Sequence, residues 1–273
     1  MINQKSLKVS WISGMPRSGS TWLSQIFASS PDVRLKFCPL FSYNFKNSLN
    51  EYSSSEDWKN FFLKVYETNS EFLDQQHLRK IGLIPFFKKK KEKPTNLIIK
   101  SNRFHNLTPY ILELYVNCKF IHIIRDPSLS VYSWIKNPHE FPSDSNPLLN
   151  WRTGKCRKTG PGEFWGFEDW QKVSLQAIQL SKRYPHRHKI IRYETLLSDT
   201  EKYAMELFEF LQINFTKHNK NFIKKSHSHH DSHQNSVYKD PKLINQSDSF
   251  LYQEIKSFCA SELKGTDLEQ FII

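Results

Sequence analysis

The run "ISGMPRSGSTW" (Ile12–Trp22) joins two segments of different periodicity. Before it, Leu7–Ser13 alternates in polarity and is rich in β-forming residues, which predicts a strand. After it, Ser20–Ser29 carries apolar residues at helical spacing, which predicts a helix. A glycine-bounded loop between a strand and a helix directs backbone N–H groups and the helix dipole toward an anion. The run therefore predicts a phosphate-binding loop.

This loop departs from the common nucleotide-binding pattern G-x-x-x-x-G-K-[ST] at one position. Gly14, Gly19 and Thr21 fit the pattern, but a serine, Ser20, occupies the place of the lysine. The positive charge lies three residues earlier, at Arg17. An ordinary turn between a strand and a helix does not require an arginine, two glycines and several hydroxyls so close together, so we favour an anion site.

The rest of the chain alternates short apolar strands with helices. Further strands are predicted at Thr95–Lys100, Lys119–Arg125 and His188–Glu194. Further helices are predicted at Glu56–Glu67, Leu107–Tyr115, Pro127–Lys136, 170–185, 200–213 and 249–263. This order predicts a single α/β domain over residues 1–273, with a central parallel sheet flanked by helices as in P-loop NTPases. The turn-rich segment 137–170 is predicted to be an inserted loop or lid within that domain.

Composition narrows the class of protein. The chain has 273 residues, of which 38% are apolar, and a formal net charge of +12. These values predict a packed core and an anionic partner, and no recognised nucleic-acid motif accompanies the charge. Four separated cysteines without a C-x-x-C pair favour free thiols, and no apolar stretch approaches the roughly 20 residues of a membrane span. We therefore expect a soluble cytoplasmic protein.

The segment "PRSGSTW" (Pro16–Trp22) resembles the 5′-phosphosulfate loop of the sulfotransferase family. In that family the loop binds the sulfate donor 3′-phosphoadenosine 5′-phosphosulfate (PAPS), and the chemistry needs no metal. The R-K-G-x-x-G-D-W segment of the cytosolic branch is absent, so the likeness is to the soluble, bacterial-type branch. The resemblance assigns donor binding to Arg17, Ser18, Gly19, Ser20, Thr21 and Trp22.

A donor with a 3′-phosphate needs a second anion site, and "IIRDPSLSVYSW" (123–134) provides a candidate. Arg125 ends a predicted strand and Ser133 lies eight residues later in the next helix. Both side chains can converge on one phosphate, for which the planar fork of a guanidinium is well suited. The family's 3′-phosphate motif has the same spacing, and the resemblance also places Tyr193 near the adenosine.

The polar segment Ser226–Pro241 is predicted to be a loop that folds over the donor, with Ser236 and Lys239 as candidate donor contacts. Its histidines, among them His227, are spaced as zinc ligands can be. No clean set of further ligands accompanies them, and the setting is rich in serine and asparagine. We therefore favour a solvated loop and predict no metal site.

The resemblance implies transfer of a sulfuryl group to a hydroxyl or an amine by in-line displacement, which depends on positioning and charge. Arg17 and Lys100 are the candidate cations for the charge on the leaving phosphate. The family's catalytic histidine is replaced by Asn102, which cannot act as a base, so His105 is the candidate base, with a surface-loop role as the alternative. The expected acceptor is a small molecule, a sugar or a lipid, and a homodimer is compatible with the sequence.

Three other functions stay open. A P-loop kinase for nucleotides or small molecules would need Mg²⁺ and accept ATP, but it explains neither Arg17 nor the second arginine–serine site. A non-catalytic protein that binds PAPS or its product 3′-phosphoadenosine 5′-phosphate (PAP) is compatible with Asn102 at the base position. Nucleic-acid binding would rest on the net charge of +12 alone.

Overall fold

Five parallel strands form the centre of the computed structural model, which describes residues 7–229, 231, 233, 235–238 and 249–273. In chain order the strands are β1 (Lys8–Ser13), β2 (Val33–Phe37), β3 (Asn96–Ser101), β4 (Cys118–Ile124) and β5 (His188–Arg192). Their order across the sheet is β2-β3-β1-β4-β5. Ile12 of the central β1 lies between Lys100 of β3 and Ile121 of β4, and all neighbouring strands are parallel. The predicted parallel α/β fold is confirmed.

Helices follow or precede each strand. Those formed by the described residues are α1 (Ser20–Ala28), α2 (Ser55–Glu67), α3 (Gln76–Lys80), α4 (Thr108–Leu114), α5 (Pro127–Ile135), α6 (Pro147–Asn150), α7 (Gly166–Arg183), α8 (Tyr193–Ser198), α9 (Thr200–Leu211), α10 (Lys217–Ser228) and α11 (Phe250–Leu263). Local sequence explains where they start. A capping box between Ser54 and Asp57 opens α2, and Asp126, whose carboxylate accepts the Leu129 N–H, opens α5 ahead of Pro127.

Each face of the sheet packs against its own apolar layer. On one face Ile12 shares a buried cluster with Leu23 of α1 and Leu207 of α9. On the other face the rings of Trp11 and Phe120 stack 5.9 Å apart and pack with the buried side of α2. That side carries the predicted apolar stripe Trp58, Phe61, Phe62 and Val65. Burial of α1 fixes the position of the loop that precedes it.

The sequence does not predict five of these elements: β2, α10 and the short helices α3, α6 and α8. In β2 the charged Lys36 is only 1% exposed, and its ammonium lies 2.8 Å from a carboxylate oxygen of Asp74. In α10 the apolar content is low, and Phe222 and Ile223 enter the core among polar neighbours. β2 (V-R-L-K-F) does alternate in polarity, but the pattern does not reveal that Lys36 is buried, and α10 has only two buried apolar residues to mark its inner face.

Two predicted boundaries near the site are wrong. The strand predicted at His188–Glu194 ends at Arg192, and Tyr193 is instead the first residue of α8. The loop predicted to begin at Ser226 begins later, because residues 226–228 complete α10. The side chain of His227, predicted to lie in a solvated loop, contacts α9, where its Nε2 lies 3.0 Å from Thr200 Oγ1.

The segment 137–170, predicted to be an inserted loop, is irregular only as far as residue 165, apart from the short α6 and one 3-10 turn. Its last five residues form the start of α7. Asp169 Oδ2 accepts the Trp165 N–H at 2.8 Å and so caps the helix before the sequence pattern becomes helical. Phe167 and Trp170 are therefore core residues that pack with α11, because the helix turns them inward.

Within the described ranges, no helix is both long and apolar enough to cross a bilayer. The same residues contain no group of three or more histidine, cysteine or carboxylate side chains arranged to hold a metal ion. All four cysteines are free thiols.

Candidate active site

Four of the residues singled out by the sequence lie at one edge of the sheet. Arg17 follows β1, Lys100 lies near the end of β3, Arg125 follows β4 and Tyr193 follows β5. Because the carboxyl ends of parallel strands meet at the same edge, residues far apart in sequence are brought together there. This edge is where ligands of open α/β sheets bind.

The loop between β1 and α1 depends on close approach at Gly19. This residue caps α1 with a φ of 89°, and its carbonyl accepts the Leu23 N–H at 3.1 Å. A Cβ at position 19 would lie 2.5 Å from Cδ2 of Tyr193, so the tyrosine ring packs directly on the loop backbone. Glycine is therefore required here by both conformation and contact.

Arg17 is the cation of the loop and adopts a left-handed φ of 68°. Its Nε donates to Ser133 Oγ at 3.2 Å, and its Nη1 donates to Asn235 Oδ1 at 3.5 Å. Nη1 also lies 3.6 Å from Glu140 Oε2. Burial lowers the pKa of the guanidinium, and the charge of Glu140 partly restores it. The structure thus holds a largely buried positive charge at the loop.

Arg125 lies against the same loop. Its Nη1 donates to the Arg17 carbonyl oxygen at 3.0 Å, and its guanidinium lies 5.0 Å from the centre of the Tyr193 ring. Among the described residues, the buried Nε of Arg125 has no hydrogen-bond partner, and neither has the buried hydroxyl of Ser18. An unsatisfied buried donor costs about 1–3 kcal/mol. An anion bound at the loop would satisfy both groups, so the residues present fit a phosphorylated ligand.

Lys100 is 2% exposed at the end of β3. Its ammonium donates to Asn102 Oδ1 and lies 4.8 Å from the centre of the Phe37 ring. Burial lowers the pKa of this lysine, while the nearby Cys38 and Glu140 raise it. Asn102, which occupies the position where the resemblance to the family predicts a base, therefore orients Lys100 instead.

His105 opens a short 3-10 turn after β3 and is 2% exposed. Its ring centre lies 5.1 Å from that of Phe164 and 5.8 Å from that of His122. Its Nε2 is buried without a hydrogen-bond partner in the described part of the chain. Burial lowers the pKa of His105 to about 4, so the ring is neutral at pH 7.

The other predicted donor contacts fall into two groups. Ser20, Thr21 and Trp22 form the first turn of α1, where the Trp22 indole donates to Ser226 Oγ at 3.1 Å and lies 6.1 Å from the Tyr193 ring. The Ser236 hydroxyl accepts the N–H of Tyr238 at 3.1 Å, so it is engaged within its own turn. Lys239 lies outside the described residues.

Two residues of the site carry no sequence signal. Glu140 comes from the turn after α5, and Asn235 comes from the segment after α10, yet both reach Arg17. Asn137 joins them, because its Nδ2 donates to Asn235 Oδ1 at 3.4 Å. No motif marks these positions. The only hint is their location in polar segments that follow sheet-covering helices.

The fold defines a class, that of P-loop-like α/β proteins, and two arginines lie at the edge of the sheet where such folds bind ligands. The sequence profile of the sulfotransferase family matches residues 11–217, which is most of the chain. The chain therefore belongs to the sulfotransferase family, and the sequence-based identification of that family is confirmed.

Solved structures share the fold across nearly the whole chain. The mouse sulfotransferase SULT7A1, solved in complex with PAP, is 16% identical with a TM-score of 0.55, over 98% of this chain and 88% of that one. A retinol dehydratase, solved with androsterone and the inactive cofactor PAP, is 11% identical with a TM-score of 0.50, over 98% and 83%. At these identities the likeness establishes the shared fold. No curated protein sequence matches this chain.

Proposed function

We propose that this member of the sulfotransferase family takes its sulfuryl group from PAPS and transfers it to a hydroxyl or an amine of an acceptor. The observation that carries the proposal is the contact between Arg125 Nη1 and the Arg17 carbonyl oxygen at 3.0 Å. It places two guanidinium groups at one loop, as a donor with phosphates at both its 3′ and 5′ positions requires. Both relatives described above were solved with PAP, the product of that donor.

In this proposal the loop holds the 5′-phosphosulfate with Arg17, Ser18, Gly19, Ser20, Thr21 and Trp22. Arg125 and Ser133 hold the 3′-phosphate, and Tyr193 contacts the adenosine. Ser133 already accepts a hydrogen bond from Arg17 Nε, so the serine lies within reach of the loop. Ser236 and Lys239 are proposed contacts from the segment after α10.

During transfer a new bond forms between the acceptor atom and sulfur, while the bond from sulfur to the bridging oxygen breaks and its electron pair stays on the leaving phosphate. Arg17 and Lys100 face this charge from two neighbouring strands. Lys100 is buried and the side chain of Arg17 is only 12% exposed, which strengthens a charge–charge interaction relative to water. These cations would take the role that a metal ion has in kinases, so we propose metal-independent transfer.

The acceptor is proposed to be a small molecule, a sugar or a lipid that enters beside Lys100. The aromatic Phe41 is 42% exposed at this side, and the Arg103 guanidinium lies 3.8 Å from the centre of its ring. Glu163, from the segment 137–165, pairs with Arg103. This ion pair ties the irregular segment to the site and supports its proposed role as a lid within the single domain.

Calorimetric titration of the protein with PAP, beside AMP and ATP–Mg²⁺, tests the donor. We expect PAP to bind about 100-fold or more tightly than AMP, because each charge-assisted hydrogen bond to the extra phosphate contributes about 1.5–3 kcal/mol. A preference for ATP–Mg²⁺ would favour the kinase alternative and contradict the proposal. Tight PAP binding without any transfer of the sulfuryl group from PAPS would favour a non-catalytic binding protein.

The free thiols lead us to propose a cytoplasmic location. We also propose a homodimer, which size-exclusion chromatography would test.

A further inference from the structure

We propose that Glu140 is the base that takes the acceptor's proton, and that Arg17 holds its carboxylate until the donor arrives. This inference rests on the proposed PAPS donor. The residue lies in the turn after α5, at a position for which the sequence offers no catalytic pattern. Three kinds of observation support the role: the fixed backbone, the position of the carboxylate, and its advantage over three other candidates on the Lys100 side of the site.

The backbone of Glu140 is held from both sides. Its N–H donates to the Asn137 carbonyl at 3.0 Å, and its own carbonyl accepts the indole N–H of Trp134 at 3.2 Å. The next residue, Phe141, is buried with its ring centre 5.0 Å from that of Trp134. Glu140 is therefore presented by a packed turn, as a catalytic group must be.

The side chain of Glu140 reaches the proposed reaction centre. Its Oε2 lies 3.6 Å from Arg17 Nη1, and its charge raises the pKa of both Arg17 and Lys100. These are the two cations assigned to the leaving phosphate. The same oxygen is buried and accepts no hydrogen bond from the described residues, so it has a lone pair available for an acceptor proton.

The pairing with Arg17 explains how the base and the donor are coupled. A phosphosulfate at the loop offers Arg17 an anion of higher charge, and it therefore competes with the carboxylate for the guanidinium. Once released, the carboxylate stays within reach because its backbone is fixed. It then accepts the proton of the acceptor O–H or N–H group as the bond to sulfur forms, and later gives that proton to water.

Three other candidates on the Lys100 side of the site are less suited to the role. His105 is 2% exposed, whereas the Glu140 side chain is 27% exposed, so an acceptor reaches the carboxylate more easily. Asn102 has no basic atom and is engaged by Lys100. The carboxylate of Glu163 is paired with Arg103 and accepts the N–H of Thr159 at 2.6 Å, so its lone pairs are occupied. Of these candidates, Glu140 combines a carboxylate oxygen that accepts no hydrogen bond from the described residues with a direct contact with the donor loop.

The test compares E140Q with E140D and with the matched control D144N, which removes an exposed carboxylate from the same segment. PAP affinity is measured by calorimetry, and turnover is measured as the release of labelled sulfate from radiolabelled PAPS with water as the acceptor. We expect E140Q to bind PAP about twofold to fivefold more tightly, because the carboxylate no longer competes with the ligand for the Arg17 guanidinium. We expect its sulfate release to fall about 100-fold or more. E140D should lose less, and D144N should match the wild type.

Two results would overturn the role of Glu140. One is sulfate release by E140Q within threefold of the wild type. The other is a parallel loss of PAP affinity and sulfate release, which a purely structural ion pair would produce. A larger loss in H105Q than in E140Q would return the base role to His105. Failure of the wild type to bind PAP would instead count against the donor, so the two proposals fail separately.

Discussion

Arg17 connects three segments that are far apart in the chain. Its hydrogen-bond partners Ser133 and Asn235 lie 116 and 218 residues away, and its ionic partner Glu140 lies in the turn after α5. The sequence places this arginine in an anion-binding loop but contains no information on the direction of its side chain. That direction is set by tertiary contacts, and they also bring an acidic residue to a loop that prefers anions.

At the same scale, we expect R125A to lower PAP affinity about 100-fold, since a buried guanidinium that makes charge-assisted contacts with one phosphate is removed. Calorimetry with PAP measures the change, and circular dichroism checks that the variant stays folded. The matched control is R183A, which removes a surface arginine that also lies over a tyrosine, at 5.2 Å from the Tyr184 ring. PAP affinity of R125A within threefold of the wild type would contradict the 3′-phosphate role.

Arg17 and Arg125 are located from the sequence because each follows a strand that can be recognised locally, and the resemblance to the family adds Lys100, near the end of β3, and Tyr193. The parallel sheet then brings them to one edge, as its topology demands. Their roles toward the donor remain proposals. Glu140 and Asn235 could not be located in this way, because their position depends on how irregular segments fold back over the sheet.

At the scale of elements, the start of α1 depends on the contact between Gly19 and Tyr193. We expect G19A to lower both PAP affinity and stability, because its Cβ would lie 2.5 Å from the ring and its φ of 89° is unfavourable for alanine. The control G82A has a similar φ of 79° but open space around the new Cβ, so it measures backbone strain alone.

Thermal unfolding and PAP titration measure the loss of stability and of PAP affinity in each variant. The loss in G19A that exceeds the loss in G82A reports the contact between residue 19 and Tyr193. On the order of 1–3 kcal/mol is expected for the strained conformation alone. Equal melting temperatures and equal PAP affinities for the two variants would show that Tyr193 does not hold the loop.

Elements with a clear local sequence pattern could be predicted, whereas elements that depend on tertiary contacts could not. β1, β3 and β4 show buried or alternating patterns and were located within about one residue, a margin usual for element boundaries. β2 (V-R-L-K-F) alternates in polarity and is compatible with a strand, but the burial of Lys36 through its pairing with Asp74 is an arrangement that only the tertiary structure provides. α10 was missed because its packing relies on few apolar residues and on a capping box formed by Thr216 and Asn219.

At the scale of the whole molecule, a row of histidines runs through one side of the sheet. The rings of His122 and His188 stack 6.2 Å apart, and His105 lies 5.8 Å from His122. Ser13 Oγ lies 2.8 Å from His122 Nδ1. Burial lowers the pKa of His188 to about 4 and holds the pKa of His122 well below its usual value. The folded protein therefore keeps these rings neutral.

This row predicts loss of stability in mild acid. Between pH 6.5 and about 4 the unfolded chain binds a proton at His188 and the folded chain does not, so the free energy of unfolding falls as the pH falls. The contribution of this one residue reaches about 3 kcal/mol at the low end of that window. H188F, which can keep the stacking with Phe120, should reduce the pH dependence.

Urea unfolding at several pH values between 4.5 and 7.5 measures this slope. The exposed His186 provides the control, and H186F should retain the slope of the wild type. His105 and His122 remain in H188F, so the slope should decrease without vanishing. A slope equal to that of the wild type would mean that His188 does not contribute to acid sensitivity.

The packing of Trp22 on the loop has an optical consequence. Six of the seven tryptophans are at most 6% exposed, whereas Trp22 is partly exposed beside Tyr193. An acrylamide quencher in solution would therefore reach Trp22 before the others, and a nucleotide stacked near Tyr193 would shield it. The intrinsic emission of the protein should thus report whether its own donor site is filled, without any label attached.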